Sequence, residues 1–408
     1  MITIAASAGD NAWSGLPEAF PRSRSSLLLP EVIDDIILVT ASKDYIGAIE
    51  SAAWSKRAWV LQERNLSSRV LIFTLSQVIW ECNKATWSEE LQFECFDPQV
   101  QIENDFIESF KKPRSDLSPV QRYTFPLAQY TPRELTDDND AINAVQGLPN
   151  DFHSHYLEGF FWGLPVLIFD IALSWNFEVY QQAPKPRHAM FPSWCWAGWQ
   201  AVASFSVGSP FDSGFQGQSS SSNDSLGRPQ STKDAPTVCA EVAWFRIAEG
   251  PSWKPILNNW TSHGGSASVT ESLARWQAQD STCVLDSTLQ ALERADIPAS
   301  HALAFWSQIV WLDVDRTHHK DNPSAMSVRD RDGQHIGHVN ITAGWRESKL
   351  NRLPFILRNL RWATPFLGLL CVEWVSGVAF MVQVIRNAVI TDKTWATLSR
   401  EWRLVILV

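Results

Sequence analysis

The chain has 408 residues, and 34 Lys+Arg against 44 Asp+Glu give it a net charge of -10 with no basic run. That balance lacks the electrostatic footprint of a nucleic-acid binder, while 45% hydrophobic residues are enough to fill more than one core. The six cysteines, Cys82, Cys95, Cys195, Cys239, Cys283 and Cys371, form no Cys-x-x-Cys pair. Neither a disulfide framework nor a zinc site is therefore expected, and reduced thiols in the cytoplasm fit best.

Residues 1–29 mix a short apolar opening with Gly9, Gly15, Pro17 and Pro21, which predicts a strand end feeding an irregular loop. No basic region precedes the apolar run, so it does not read as a signal peptide but as the inside of a domain. Residues 30–50 give no clear pattern. From Ser51 the spacing turns helical: Trp54, Ala58 and Leu61 share one face and Trp59, Gln62, Glu63 and Leu66 another, which predicts a helix packed on most sides. Arg69–Thr74 reads as a buried strand and Val78–Cys82 as a second after the turn at 75–77.

A polar, proline-punctuated segment from about Asp97 to Asp140 predicts connecting structure, with the next helix near Asp137 and an apolar stripe on Ala141, Ala144, Val145 and Leu148. Residues 157–175 are largely aromatic and aliphatic, with Glu158 and Asp170 their charged positions, and predict a buried helix or helix pair. Residues 206–236, rich in Ser, Gly and Pro, predict a flexible linker or insertion. Beyond it, apolar runs at 237–247, 283–287, 309–314, 336–341, 365–374 and 379–389 predict a β-rich region. Phe366–Ile385 is the best membrane candidate, but Glu373 interrupts it, and a spanning helix needs about 20 uninterrupted apolar residues. It reads as buried strand. Most of the 21 tryptophans should be structural, since large rigid rings mainly supply core area.

Trp54 to Cys82 holds Arg57, Trp59, Leu61, Gln62, Glu63, Ser67, Arg69, Trp80 and Cys82 in one run. It resembles the closing block of the fungal heterokaryon-incompatibility (HET) domain. Ile2–Ala6 with Gly15-Leu16-Pro17 and Arg22 resembles the segment before that block. Tyr130–Thr136, Gly163-Leu164-Pro165 and Leu173-Ser174-Trp175 resemble the helical region after it. Pro192-Ser193-Trp194-Cys195-Trp196-Ala197-Gly198-Trp199 is similar to the family's Pro-Ser-Trp-Ser-Trp-Ala-Ser-Trp motif. The family's opening blocks, of Ser-Tyr-x-Trp-Gly and Trp-Ile-Asp-x-Leu-Cys-Ile-Asp-Gln type, do not occur in the sequence. The resemblance therefore implies a HET domain cut short at its N-terminal side, and Met1 need not be the true start.

HET domains are similar to TIR domains, which are flavodoxin-like, and some TIR domains hydrolyse NAD with a helix-borne glutamate. Carried over, the resemblance makes Glu63 the candidate catalytic carboxylate and Trp59 the wall beside a bound dinucleotide. A carboxylate there could stabilise oxocarbenium character as nicotinamide leaves. NAD is then a substrate in intact relatives rather than a resident cofactor, and none is expected in this chain. Val60 stands where that motif has cysteine, and the strand and loop that would hold the dinucleotide lie in the missing blocks. The bland alternative pairs Glu63 with Arg57, Arg64 or Arg69 at a helix end.

Asp313, Asp315, His318, His319 and Asp321 form the most metal-like local cluster, but they follow an apolar run and precede Pro323. A solvated turn is the better account, so no metal site is assigned. His153 and His155 read as a loop pair.

The expected fold is α+β. A partial TIR-like (flavodoxin-like) α/β remnant over 1–96 precedes a helical, connecting region over 97–205 ending in the Trp-rich motif, a linker over 206–236 and a β-rich region over 237–408. The expected function is non-self recognition and regulated cell death. The expected partners are proteins, the chain itself among them, and neither nucleic acid nor membrane. Two alternatives stand beside it: a non-catalytic interaction module whose C-terminal region binds a partner, and a metal-dependent hydrolase using residues 313–321.

Overall fold

The computed structural model describes residues 2–11, 13–17, 31–33, 36–38, 45–75, 77–83, 86–89, 119–147, 159–177, 185–186, 190–205, 242–250, 252–257, 267–315, 325–340, 352–357, 368–384 and 392–408. The predicted linker at 206–236, with Leu148, His153, His155, His318, His319 and Asp321, lies outside them. Helices and sheets are mixed, as an α+β fold requires. The chain divides into two compact units, Met1–His155 and Tyr156–Val408, so the division falls inside the predicted connecting region.

The first unit is built on a four-stranded sheet in the order β1 (Thr3–Ala6), β4 (Arg69–Phe73), β5 (Val78–Cys82), β6 (Thr86–Ser88). A separate hairpin joins β2 (Glu31–Ile33) to β3 (Ile36–Leu38). β1 and β4 run parallel and the remaining pairs antiparallel. A parallel neighbour needs a crossover, and three helices supply it: α1 (Tyr45–Ser51), α2 (Ala53–Lys56) and α3 (Ala58–Leu66). One sheet face carries Ala5, Val70, Ile72 and Ile79, which form a core with Ile49 while Trp54 packs against it.

The predicted long helix from Ser51 is corrected to two pieces. Arg57 is extended (φ -76°, ψ 133°), and the Ala58 amide donates to the Glu134 carbonyl at 2.8 Å while the Glu134 amide donates to Lys56 at 2.6 Å. The segment after Tyr130 thus takes over the bonds that a continuous helix would have made. The second apolar face is corrected too, because Glu63 and Leu66 are exposed while Trp59 and Gln62 are half-buried.

The expectation of connecting structure up to Asp140 fails at α4 (Pro119–Tyr130). Pro119 takes its first position, where a missing N–H costs nothing, and Pro126 sits inside the helix. Val120, Tyr123, Thr124, Leu127 and Tyr130 are all buried at helical spacing, and that packing outweighs the proline penalty. The helix expected near Asp137 is only a 3₁₀ turn at Asp138–Asp140 and α5 (Asn143–Gln146).

Three two-stranded ladders open the second unit: β7 (Phe160–Phe161) with β8 (Leu164–Pro165), β9 (Trp175–Phe177) with β12 (Ala203–Phe205), and β10 (Lys185–Pro186) with β11 (Trp199–Gln200). The helix pair predicted over 157–175 is corrected by the first ladder. Trp162 and Gly163 both have positive φ (51° and 76°), as two-residue hairpin turns of the primed type require. Helix survives there only as a 3₁₀ turn at Val166–Ile168 and α6 (Phe169–Ala172).

The β-rich region is a nine-stranded sheet. It contains β13 (Phe245–Ala248), β14 (Ser252–Pro255), β15 (Leu303–Asp315), β16 (Ala325–Arg329), β17 (His335–Asn340), β18 (Arg352–Leu357), β19 (Leu369–Val375), β20 (Val378–Val384) and β21 (Arg400–Leu407). Because β15 pairs with both β18 and β21, and β18–β19–β20–β21 follow one another, these five strands close a ring. Closure removes the sheet edges that an open arrangement would leave. β13 and β14 extend one side of it and the β16–β17 hairpin another. Val310, Leu312, Leu353, Phe355, Leu369 and Cys371 fill the larger core. The described part of the membrane-candidate stretch is the β19–β20 hairpin, turned at Ser376-Gly377 with positive φ at both. No helix among the described residues is long and apolar enough to cross a membrane.

One strand expectation in this region is wrong. Cys283–Ser287 lies in α8 (Ser281–Ala295), which follows α7 (Ala267–Gln277), with α9 (Asp392–Thr397) further on. The Asp280 carboxylate accepts from the Thr282 and Cys283 amides at 3.0 and 3.4 Å. It is an N-cap, and the Thr282 hydroxyl bond together with these amides holds its pKa below the usual carboxylate range.

Candidate functional site

α3 begins at the Arg57 break and ends where Ser67 hydrogen-bonds back to Glu63: the Ser67 amide and hydroxyl both reach the Glu63 carbonyl, at 3.2 and 2.6 Å. The Ser67 and Thr3 hydroxyls lie 2.6 Å apart, joining the amino ends of β1 and β4. Glu63 is therefore in the last turn of a helix that meets β4 at its amino end. Open α/β sheets bind ligands at the opposite, carboxyl ends of their strands.

The Glu63 side chain is exposed and makes no ion pair with a described residue, and Arg57 and Arg69 are exposed as well. Trp59 and Gln62 are half-buried beside the fully inward Val60 and Leu61. The Gln62 side chain lies where Gly147 leaves room, 2.3 Å from the place a Cβ would take. On β5, Trp80 and Cys82 are half-buried on the face away from the core. Register places Ile4, Leu71, Trp80 and Trp87 in one row across the four strands; Ile4 is 58% exposed and the others half-buried. That row is a part-open apolar face. Trp54, on the other side, packs against the core.

The charge chemistry of this unit is centred on Arg64, one residue beyond Glu63. Its Nε and Nη2 donate to the two Glu81 carboxylate oxygens at 3.0 and 2.6 Å, and its Nη1 donates to Glu50 Oε1 at 3.2 Å. Glu81 is fully buried and Glu50 42% exposed. Burial by itself lowers the Arg64 pKa, but Glu81 first and Glu50 second outweigh it and hold the value above the ordinary one. Arg133 reaches Glu50 at 3.7 Å and donates to the Ser55 carbonyl. Its pKa is lowered by burial, which Glu50 offsets in part and Arg64 reinforces. Arg64, rather than Glu63, is thus the ion-paired residue of α3.

None of Glu50, Glu81 or Arg133 stands out as a site residue in the sequence. One signal was available: Glu81 interrupts an apolar strand at a core-facing position, opposite Val70, and a carboxylate there demands a buried partner.

In the second unit the Trp-rich motif is a packing knot. Trp194 and Trp196 are buried with Pro192, whereas Ser193 and Trp199 are half-buried. Trp194 Nε1 donates to the His301 carbonyl at 2.9 Å, Trp175 Nε1 to the Trp194 carbonyl at 2.8 Å and Trp199 Nε1 to the Ser193 carbonyl at 2.9 Å. The Ser193 hydroxyl donates to the Val408 carbonyl and accepts from the Met381 amide at 2.8 Å. Cys195 and Gly198 stand where the family motif has serines. The Cys195 sulfur accepts from the Ala197 amide at 3.3 Å, as a serine oxygen would, and a Cβ on Gly198 would meet the Pro192 carbonyl at 3.0 Å.

Beside this knot, Asp170, 2% exposed, accepts from Trp244 Nε1. His301, 4% exposed, meets Trp162 edge to face at 4.9 Å. Burial lowers the His301 pKa, and a hydrogen bond to the Met190 backbone offsets this only in part. The unfolded chain then binds a proton more readily than the folded one. This contribution to stability is full above the ordinary histidine value, about 6.5, and is lost as pH falls from there through the folded value. The urea midpoint of the second unit should drop between pH 7 and pH 5, and His301→Gln should shrink that drop. An unchanged slope would remove His301 from the account.

Asp313 and Asp315 sit at the end of β15, near Arg352 at 3.9 Å and Arg329 at 3.7 Å respectively. Among the described residues no three His, Cys, Asp or Glu side chains gather as a metal-ligand group. The described cysteines, Cys82, Cys195, Cys283 and Cys371, are free thiols; full burial, aided by Glu373, pushes the Cys371 pKa up and keeps it inert. Comparison with protein-family models, with curated proteins and with solved structures finds no match.

Proposed function

We propose that this chain is a protein of the HET type, acting in non-self recognition and regulated cell death through protein assembly. The observation that carries this reading is the parallel β1–β4 pair joined by the helices that bear Trp59 and Glu63. A strand–helix–strand unit of this kind supports a TIR-like, flavodoxin-like remnant. The order of the resembling motifs from residue 2 to residue 199 supports the same family. An exposed Glu63 at the amino end of β4 favours assembly over catalysis, because nothing described there encloses a dinucleotide. The part-open row Ile4, Leu71, Trp80 and Trp87 suits a protein partner, a second copy of the chain included.

A second reading places partner binding in the C-terminal region, and the closed five-strand ring favours it as a rigid platform. Regulated expression of the full chain in a filamentous fungus tests the first reading. Growth arrest with unchanged cellular NAD is expected, and Glu63→Ala should leave the arrest intact. Growth that continues normally would overturn it. NAD loss abolished by Glu63→Ala would replace it with the enzymatic reading.

A further inference from the structure

The β16–β17 hairpin turns on residues 330–334. There the Asp330 carboxylate accepts from the Asp332 and Gln334 amides at 3.0 and 2.8 Å, and Gly333 takes φ 80°. Its register is Ser327 to His338, Val328 to Gly337 and Arg329 to His335, which leaves Ile336 as an extra residue on β17. In a regular strand residues three apart point to opposite faces. The bulge re-aims them. Ile336 and Val339 both enter the core, and His335 and His338 come together half-buried outside it.

Their Nε2 atoms face each other at 3.4 Å, with ring centroids 4.6 Å apart and planes at 64°. N–H···O hydrogen bonds run shorter, at about 2.7–3.2 Å. Two imidazoles bound tetrahedrally to one ion at about 2.0–2.1 Å have their nitrogens about 3.3–3.4 Å apart. The contact is at most a long hydrogen bond, and the separation is right for two ligands of one metal.

We propose that His335 and His338 form a two-imidazole site for a borderline divalent transition-metal ion, of which Zn²⁺, Cu²⁺ and Ni²⁺ are the candidates, with water completing the coordination. Arg329 lies opposite His335 in the register. It is turned aside, its Nη1 donating to the Gly333 carbonyl at 3.0 Å and its Nε 3.7 Å from Asp315. Register places Asp313 and Asp315 two strands away in the same rows, through Arg329 to His335 and through Ser327 to His338, and the site does not depend on the HET reading.

Calorimetric titration of the chelator-treated full chain with Zn²⁺ tests it. One ion per chain is expected, and His335→Ala and His338→Ala should each weaken binding by more than about tenfold, since even outer-shell partners of metal ligands are worth roughly 10–100-fold. His318→Ala and His153→Ala should leave binding unchanged. A second measurement needs no variant: Zn²⁺ should protect His335 and His338 of the wild-type chain from diethyl pyrocarbonate, mapped by mass spectrometry. No binding at millimolar Zn²⁺, binding that survives both substitutions, or equal loss on His318→Ala would each overturn the assignment.

Discussion

Glu81→Ala should destabilise the first unit by about 3–5 kcal/mol, the usual cost of leaving one member of a buried ion pair without its partner. Glu81 is fully buried and holds Arg64 through two hydrogen bonds at 3.0 and 2.6 Å. Without it the guanidinium keeps only Glu50, at 3.2 Å and 42% exposed, where water screens the attraction. Stabilities of whole domains run to about 5–15 kcal/mol, so the loss would leave β4 and β5 near their unfolding threshold.

Hydrogen exchange of the β4 and β5 peptides reads this directly and keeps the two units separate. Faster exchange equivalent to less than about 1 kcal/mol would show that Glu50 alone suffices. Arg64→Leu combined with Glu81→Leu removes both charges and should recover most of the loss, because apolar replacements of buried pairs are often neutral or better. Glu63→Ala, one position away but exposed, should stay within about 0.5 kcal/mol. The contrast separates a residue that identifies α3 from the one that fixes it.

Period and composition carried part of this arrangement into the sequence. β4 and β5 are legible as near-continuous apolar runs, although the structure buries only their alternate residues, and β17, β19 and β20 follow from similar runs. Three failures have separate physical causes. Pro126 reads as a breaker, yet the buried stripe from Val120 to Tyr130 holds α4 together around it. Cys283–Ser287 reads as a short strand when taken alone; the cap at Asp280 and the 3–4 spacing of Leu285, Thr288 and Leu292 assign it to a helix. The apolar run at 157–175 cannot by itself distinguish helix from hairpin, and two positive-φ residues at 162–163 decided it.

What local pattern cannot contain is closure and pairing across distance. The ring closes through Leu303 to Leu407 and Val310 to Arg400, contacts 104 and 90 residues apart in the chain. The Arg64–Glu81 pair spans a helix and two strands. At the candidate site, the Trp59 to Glu63 spacing marks a family resemblance, but exposure depends on which face of α3 meets the sheet. The break at Arg57 sets that face. His335 and His338 are invisible as a pair for the same reason, since only a bulge brings residues three apart on a strand to one side.

Trp194→Ala should cost the second unit about 3–5 kcal/mol, the range for deleting a fully buried aromatic side chain. The ring is 0% exposed, stacks on Phe161 at 5.6 Å and meets Phe169 edge-on at 6.1 Å. Its N–H reaches the His301 carbonyl while its own carbonyl holds Trp175, so several chain segments lose their common contact together. Trp194→Phe keeps most of the ring and loses the donor; it should cost about 1–2 kcal/mol, mostly the hydrogen bond. Trp13, 95% exposed, supplies the control, and Trp13→Ala should be neutral within about 0.5 kcal/mol. Pulse proteolysis in urea measures all three, following fragments of the second unit for the Trp194 variants and of the first for Trp13→Ala. A Trp194→Ala chain within about 1 kcal/mol of wild type would mean that the Trp-rich motif is not the knot of this unit, and its resemblance to the HET-type motif would then call for a binding role.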